Sequence, residues 1–374
     1  DWLSGGYRWT KARGLSREQA LEAVPGLRRE GLRGGVAYSD GQFDDARLAL
    51  AFARTAAARG ALILNHAAVT GFVREDERIC EVQVTDRIDG RTLQLRPRLV
   101  LNCTGPGSDR VRQLADPKLP SVMQLSRGSH LVLPAAFLGG DTGLILPETR
   151  DGRVLFALPW QGRVLLGTTE VPVEDVQDDL QISEDEIDYL LEESKQLLER
   201  APTRDDVVAT FVGLRPLVSA EDVGDTAALS REHVILEGPS GMLTMAGGKW
   251  TTARRMGEEL IDSAARSLGD RPRPSGTADL RVVGGECGID CEPDPYGNER
   301  AAVEELCASL PGGVEPVAPG VALRRGEVAW MVRKEMAVTA DDVLYRRARL
   351  GVLDAQATAA ARAPVTALIR AFSG

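Results

Sequence analysis

Three cations in this 374-residue sequence recur at or just after β-type runs: Arg215 in Gly213-Leu214-Arg215-Pro216-Leu217, Arg231 in Leu229-Ser230-Arg231-Glu232-His233, and Lys249 in Ala246-Gly247-Gly248-Lys249-Trp250. A forked guanidinium recognises a carboxylate or phosphate through two parallel N–H bonds, and a lysine adds a compact point charge beside it. Gathered in one place, the three would form a pocket for an anionic small molecule. Taken singly, each also reads as an ordinary solvated or ion-paired residue. His130, in Ser126-Arg127-Gly128-Ser129-His130-Leu131-Val132-Leu133, opens an apolar strand and is a candidate general base, because histidine titrates nearest neutrality. A purely structural histidine fits that spacing too. His66 and His233 have weaker claims, and neither a Ser/His/Asp set nor an HExxH motif occurs.

The stretch Met242 to Arg254 reads as a short apolar strand, two glycines and the start of a helix through Met256, Leu260 and Ile261. Gly247 and Gly248 remove Cβ atoms where a backbone turns sharply or approaches a ligand. The N–H groups around Thr251 and Thr252, with the positive end of the helix dipole, favour negative charge. The motif is not a Walker A loop, because Trp250 stands where that loop requires Ser or Thr. A plain strand-to-helix turn with a surface lysine is the alternative.

The positioning elements follow from periodicity. Leu15 to Ala23 is predicted as a helix capped by Ser16, and Phe43-Asp44-Asp45 opens an alanine-rich helix closed by Gly60, followed by a strand over Ala61 to Asn65. Gly71 to Arg74, Ile79 to Thr85 and Thr92 to Leu95 read as strands, with an Asp89-Gly90 hairpin turn. Leu99 to Cys103 is a buried-looking strand running into Thr104-Gly105-Pro106-Gly107-Ser108, with Ser108 a candidate cap for the next helix. Together these make a mononucleotide-type α/β unit without its first part; no GxGxxG occurs in the chain. From Val122 to Val218 a second layer of mostly antiparallel strands is expected: Ser129 to Leu133, Gly143 to Leu146, Val154 to Leu158, Val164 to Gly167 and Val207 to Gly213. One helix interrupts it, from the capping box Ser183/Glu186 to Arg200. After strands over Val234 to Leu236 and Met242 to Ala246, a Pro- and Gly-rich linker follows Gly269. Helices over Glu299 to Leu310, Glu327 to Met336, Ala340 to Leu350 and Ala355 to Phe372 then form a small C-terminal domain from about residue 275.

Composition bounds the function. The chain is 43% hydrophobic and 27% charged, as soluble globular proteins are, and its net charge of −10 argues against general nucleic-acid binding. Cys80, Cys103, Cys287, Cys291 and Cys307 show no disulfide-framework spacing, which favours a reducing compartment; a zinc site on Cys287, Cys291 and Cys307 is disfavoured because it lacks a fourth ligand at suitable spacing. No apolar run reaches the length of a membrane span and no signal peptide is visible.

Five motifs in order, Gly41-Gln42-Phe43-Asp44-Asp45-Ala46-Arg47-Leu48, Asn102-Cys103-Thr104-Gly105-Pro106, Leu158-Pro159-Trp160-Gln161-Gly162 with Gly167-Thr168-Thr169, Gly213 to Leu217, and Ala246 to Thr252, resemble the FAD-dependent glycerol-3-phosphate dehydrogenases. The helical tail, with Val332-Arg333-Lys334-Glu335-Met336 and Asp341-Asp342-Val343-Leu344, is similar to that family's C-terminal domain. The resemblance implies an α/β (α+β) fold of the amino-acid-oxidase-like flavoprotein kind. Residues 1–120 would be a partial FAD-binding Rossmann-like domain, 121–240 an antiparallel-sheet substrate domain, 241–269 a return to the FAD-binding domain, and 275–374 the helical domain. It further implies oxidation of sn-glycerol 3-phosphate to dihydroxyacetone phosphate, with hydride passing to the flavin and electrons then to a membrane quinone. Arg215, Arg231 and Lys249 would hold substrate, with His130 taking the C2 hydroxyl proton. Gly247, Gly248, Thr251 and Thr252 would contact the flavin, Thr104 and Gly105 the pyrophosphate, and Ala68 and Val69 the adenine.

The family begins with a strand, a GxGxxG turn, a helix and an arginine-containing segment, none of which is in this sequence. The expectation is therefore a truncated or shortened form that on its own binds FAD weakly or not at all. The resemblance places the protein in the cytoplasm, peripheral on the inner face of the membrane, and leaves a homodimer open. Alternatives are a glycerophosphate oxidase using oxygen, a non-catalytic remnant binding a partner or membrane surface, and another amino-acid-oxidase-like flavoprotein.

Overall fold

The computed structural model describes residues 10–176, 180–218, 233–285 and 294–373. Strands β1 (Arg13–Ser16) and β2 (Gly34–Ala37) pair antiparallel around α1 (Arg17–Ala23). Ser16 accepts from the Gln19 N–H while the Gln19 side chain reaches back to Ser16 N–H, so the capping box starts the helix two residues after Leu15. Asp44 caps α2 (Asp45–Ala58), and Gly60 follows its end at φ +92°.

The expected strand over Ala61 to Asn65 does not form. No ladder partner meets it among the described residues, Leu62 is 85% exposed, and β3 (Ala67–Glu75) begins only beyond it. An apolar run becomes a strand only where another strand offers its N–H and C=O row. β3, β4 (Arg78–Asp86) and β5 (Thr92–Leu95) make an antiparallel sheet with the expected turn at Gly90. β6 is only Leu101–Asn102. Ser108 is the first residue of α3 (Ser108–Ala115) rather than its cap, and its hydroxyl donates to Gly105 O.

β7 (Met123–Pro134) is the spine of the large sheet that also holds β8 (Leu144–Leu146), β9 (Leu155–Trp160), β10 (Arg163–Gly167) and β11 (Val171–Val173). α4 (Glu184–Ser194) covers that sheet and stops short of the expected Arg200; β12 (Ala209–Val218) then lines one edge of β7 while β10 and β11 pair end to end along the other. Leu131, Leu133, Leu155 and Leu166, all fully buried, pack against Leu190 and Leu191 of α4. Each buried leucine contributes roughly 1.5–3 kcal/mol of transfer free energy.

β13 (His233–Glu237) pairs antiparallel with β14 (Leu243–Gly247), which runs parallel to β6. A 3₁₀ turn over Trp250–Thr252 leads into α5 (Ala253–Ser267), whose Leu260 and Ala264 pack on Leu243 and Met245. The C-terminal helices are α6 (Arg300–Ser309), α7 (Arg325–Glu335), α8 (Ala340–Leu344), α9 (Leu350–Leu353) and α10 (Ala355–Phe372). The single helix expected over Ala340 to Leu350 is broken, with Arg349 left-handed at φ +58°. This helical body is locked to α2 by the fully buried Glu335, which receives Arg47 at 2.8 and 2.9 Å, while Arg54 forks onto Glu299 at 2.6 and 2.8 Å. Cys287 and Cys291 lie outside the described residues; among those described, no cluster of potential metal ligands occurs and no helix is long and apolar enough to cross a membrane.

Candidate functional site

Side chains alternate along β7. Leu131 and Leu133 point into the core beneath α4, so Ser126, Gly128 and His130 share the opposite face. Antiparallel register sets Phe211 opposite His130, Gly213 opposite Gly128 and Arg215 opposite Ser126, so one face of the β7–β12 pair gathers His130 and Arg215. The His130 ring stacks on Phe211 at 4.8 Å between centroids and meets Phe156 of β9 at 5.7 Å.

Two glycines make room for these groups. A Cβ on Gly128 would stand 2.5 Å from both Nη1 and Nη2 of Arg215, so the guanidinium lies flat on the β7 backbone. A Cβ on Gly167 would overlap the His130 ring. Arg215 is further held by Thr169 O at 3.3 Å and Thr168 Oγ1 at 3.0 Å, in the segment after β10.

The electrostatics set a neutral imidazole beside a cation. Burial, with the Arg215 charge added, lowers the His130 pKa from 6.5 to about 4, so the imidazole is neutral at pH 7. Its Nδ1 is buried and finds no hydrogen-bond partner among the described residues, and the Oγ of Ser126 on the same face is likewise unsatisfied. Buried polar atoms left open in this way are costly unless a ligand or water completes them.

Behind the sheet, the carboxylate of Glu186 accepts from Ser129 Oγ and Thr169 Oγ1 at 2.7 Å each and pairs with Arg127 at 2.7 Å. Burial pushes its pKa up, but the bonds from Thr169, Ser129 and Ser183 outweigh it, so the group stays ionised below the usual carboxylate range.

The second part of the site lies on the smaller sheet. β6 and β14 run parallel in register, Leu101 beside Leu243 and Asn102 beside Thr244, so the turn at Thr104-Gly105 and the turn at Gly247-Gly248 leave the same, carboxyl edge. Ligands of open α/β sheets bind outside that edge. Buried Asn102 fixes the first turn: its amide donates to Ser108 O (3.0 Å) and Thr244 Oγ1 (3.3 Å), and its oxygen accepts from Thr104 N–H and Oγ1. Gly105 has φ +55° and open space where a Cβ would be. Gly247 and Gly248 adopt φ +71° and +81°, and a Cβ on Gly248 would strike Met256. Lys249 is exposed and extended, its carbonyl accepting from Thr252 N–H and Oγ1 at 3.0 Å. Trp250 meets Phe43, just before α2, and Phe52, in the middle of it, edge-on, joining this turn to that helix.

The structure thus brings His130 and Arg215 together on one sheet face, and Thr104, Gly105, Gly247, Gly248, Thr251 and Thr252 to one edge of another. Ala68 and Val69 lie on β3, against which α3 packs. Arg231 lies outside the described residues. His66 is bonded to Asp342 at 2.8 Å and His233 to Glu259 at 2.7 Å, which gives both structural partners. The reasoning from residue types overlooked Gly128, Ser126, Phe211 and the second role of Glu186. The run Arg127-Gly128-Ser129-His130 held the available clue, a glycine two positions before the histidine and on its face.

The chain matches the family model described as FAD dependent oxidoreductase over residues 3–254, and the one described as C-terminal domain of alpha-glycerophosphate oxidase over residues 294–373. It is 36% identical over 376 residues to the mitochondrial glycerol-3-phosphate dehydrogenase of Bos taurus, covering 92% of this chain and 51% of that protein. It is 30% identical to the probable glycerol-3-phosphate dehydrogenase of Encephalitozoon cuniculi, covering 95% of this chain and 61% of that protein. The chain spans about half the length of the curated relatives it matches. Among solved structures, the glycerol-3-phosphate dehydrogenase from Bacillus halodurans complexed with FAD superposes with a TM-score of 0.82 at 27% identity, covering 96% of this chain and 75% of that one.

Proposed function

The chain belongs to the FAD-dependent oxidoreductase family, and from that premise we propose that it carries the substrate face of an enzyme oxidising sn-glycerol 3-phosphate to dihydroxyacetone phosphate. The observation that carries this reading is the neutral His130 beside the Arg215 guanidinium, on a face whose buried Nδ1 and Oγ atoms want a ligand.

The residues fit the cofactor. Two glycine turns open at one sheet edge, with space at Gly105 where a Cβ would otherwise project. Gly247, Gly248, Thr251 and Thr252 would hold the flavin ring, Thr104 and Gly105 the pyrophosphate, and Ala68 and Val69 the adenine; bound FAD would supply the two-electron acceptor for the hydride leaving C2. Arg215, with Lys249 and Arg231, holds the substrate phosphate by charge-assisted bonds. His130, neutral at pH 7, takes the proton of the C2 hydroxyl as the hydride departs, and Phe211 and Phe156 fix its ring. Holding the hydroxyl against the imidazole turns a bimolecular encounter into a positioned one.

In this reading residues 1–120 and 241–269 form the FAD-binding part, 121–240 the substrate domain and 275–374 the helical domain. The electrons pass on to quinone at the inner face of the membrane, with the protein peripheral and cytoplasmic; a homodimer is compatible with it. A second reading has its own support: the match of residues 294–373 to a glycerophosphate oxidase domain favours oxygen as acceptor. Anaerobic mixing of the FAD-reconstituted protein with glycerol 3-phosphate tests the first claim, and bleaching of the 450-nm band (roughly the flavin maximum) that glycerol or an amino acid does not cause is the expected result. No bleaching with glycerol 3-phosphate would sink it. Peroxide released in air on substrate addition would select the oxidase over the quinone reductase.

A further inference from the structure

We propose that Glu186 is a positioning residue that sets Arg215 and His130 from the far face of the sheet, an inference that rests on the phosphate role given to Arg215 above. Glu186 acts through the segments beside them. It belongs to α4, where it completes the capping box with Ser183, receiving Ser183 N–H at 3.1 Å and the Ser183 hydroxyl at 3.0 Å. A cap alone would leave this carboxylate at the helix surface, yet the residue is 5% exposed. Its Oε1 instead receives two hydroxyls from different strands, Ser129 of β7 and Thr169 just after β10, at 2.7 Å each.

Those two residues adjoin the two functional groups. Ser129 directly precedes His130 in β7. Thr169 provides the carbonyl that receives Arg215 Nη1, and its neighbour Thr168 provides the hydroxyl that receives Nη2. The strands are also stitched to each other, because the Ser129 N–H donates to Thr169 Oγ1 at 2.9 Å and the Thr169 N–H to Ser129 O at 3.3 Å. Glu186 therefore fixes the spacing between the segment carrying His130 and the segment on which Arg215 leans. Arg127 pairs with the other oxygen, Oε2, at 2.7 Å, while the bonds from Thr169, Ser129 and Ser183 hold the carboxyl below its usual pKa. An ionised acceptor holds hydroxyl donors more strongly than a neutral one, and it is inserted by a helix whose Leu190 and Leu191 are seated in the core.

Two variants test this. Thr169→Val keeps the shape of the side chain and removes the hydroxyl that links Glu186 to the Arg215 platform. Glu186→Gln keeps the volume and removes the charge, so Arg127 loses its ionic partner. Each is compared with the unaltered chain by the affinity for inorganic phosphate, measured calorimetrically, and by KM and kcat for glycerol 3-phosphate in the FAD-loaded protein. Thermal unfolding is followed in parallel. The expected result is phosphate affinity lowered about tenfold or more, and KM raised by a similar factor, out of proportion to any change in unfolding temperature. Phosphate affinity and KM within twofold of the unaltered chain, in whichever variant folds, would overturn the proposal. So would failure of the unaltered chain to bind phosphate. Failure of the substrate reading would look different: phosphate would bind and respond to the variants, while glycerol 3-phosphate left the flavin oxidised.

Discussion

The guanidinium of Arg215 lies against the bare backbone of Gly128, its Nη1 and Nη2 both 2.5 Å from where a Cβ on that glycine would stand. The two residues sit on adjacent antiparallel strands, offset by two register positions. The flat seating is possible only because β7 lacks a side chain at that position. Gly128→Ala should therefore expel Arg215 from Thr168 and Thr169. A loss of about tenfold or more in affinity for glycerol 3-phosphate is expected, with stability reduced by about 1–3 kcal/mol. Calorimetric titration and chemical denaturation read the two effects separately, and undiminished affinity would show that the seat is dispensable.

Arg215→Lys should not substitute. Lysine keeps the charge but cannot bond Thr169 O and Thr168 Oγ1 while presenting a flat fork to an anion. A KM for glycerol 3-phosphate raised about tenfold or more, with flavin content unchanged, is the expected outcome in steady-state assays.

Stability should fall on the acid side through His130. The folded protein holds that imidazole at about 4 against 6.5 in the unfolded chain, mainly by burial. Between those values the unfolded chain binds the proton and the folded one does not. Stability from this group is thus complete above pH 6.5 and is lost as pH drops through 4, by up to about 3 kcal/mol. Urea unfolding at a series of pH values should show that slope, and His130→Asn should flatten it.

Glu335→Ala would leave Arg47 without its partner at the junction of α2 and α7, and Arg347, which donates to Glu335 O at 2.9 Å, would face a loosened helix end. Removing one member of a buried pair costs about 3–5 kcal/mol. The expected result in denaturant is a transition at clearly lower midpoint.

Legibility in the sequence followed how local each determinant was. The Ser183/Glu186 box, the Gly247-Gly248 turn and the span of α10 depend on neighbouring residues, and they formed where expected. The run Ala61 to Asn65 carried the right residues for a strand, but strand formation depends on a pairing edge that no local pattern specifies. The expected helix stops at Leu344, and the left-handed Arg349 before α9 reaches across to Asp45 at 3.0 Å, a partner 304 positions away that no local pattern specifies. The type of His130 marked it from the start. Its depressed pKa could not be read, because Phe211, Phe156 and Arg215 come from strands 26 to 85 positions away in the chain. Glu186 shows the same limit, since its second set of partners exists only once β7 and β10 lie side by side.

β7 interleaves two kinds of constraint residue by residue: Leu131, Leu133 and Ser129 answer to the core and to α4, while Gly128 and His130 answer to the face that carries Arg215. The strand has no bulge against β10 or β12 to absorb a change in length. Adding or deleting a single residue within it would exchange the faces, turning leucines toward Arg215 and the imidazole toward the core. Drift in this lineage should accordingly proceed along β7 by replacement alone, with gains and losses of length confined to the connections on either side.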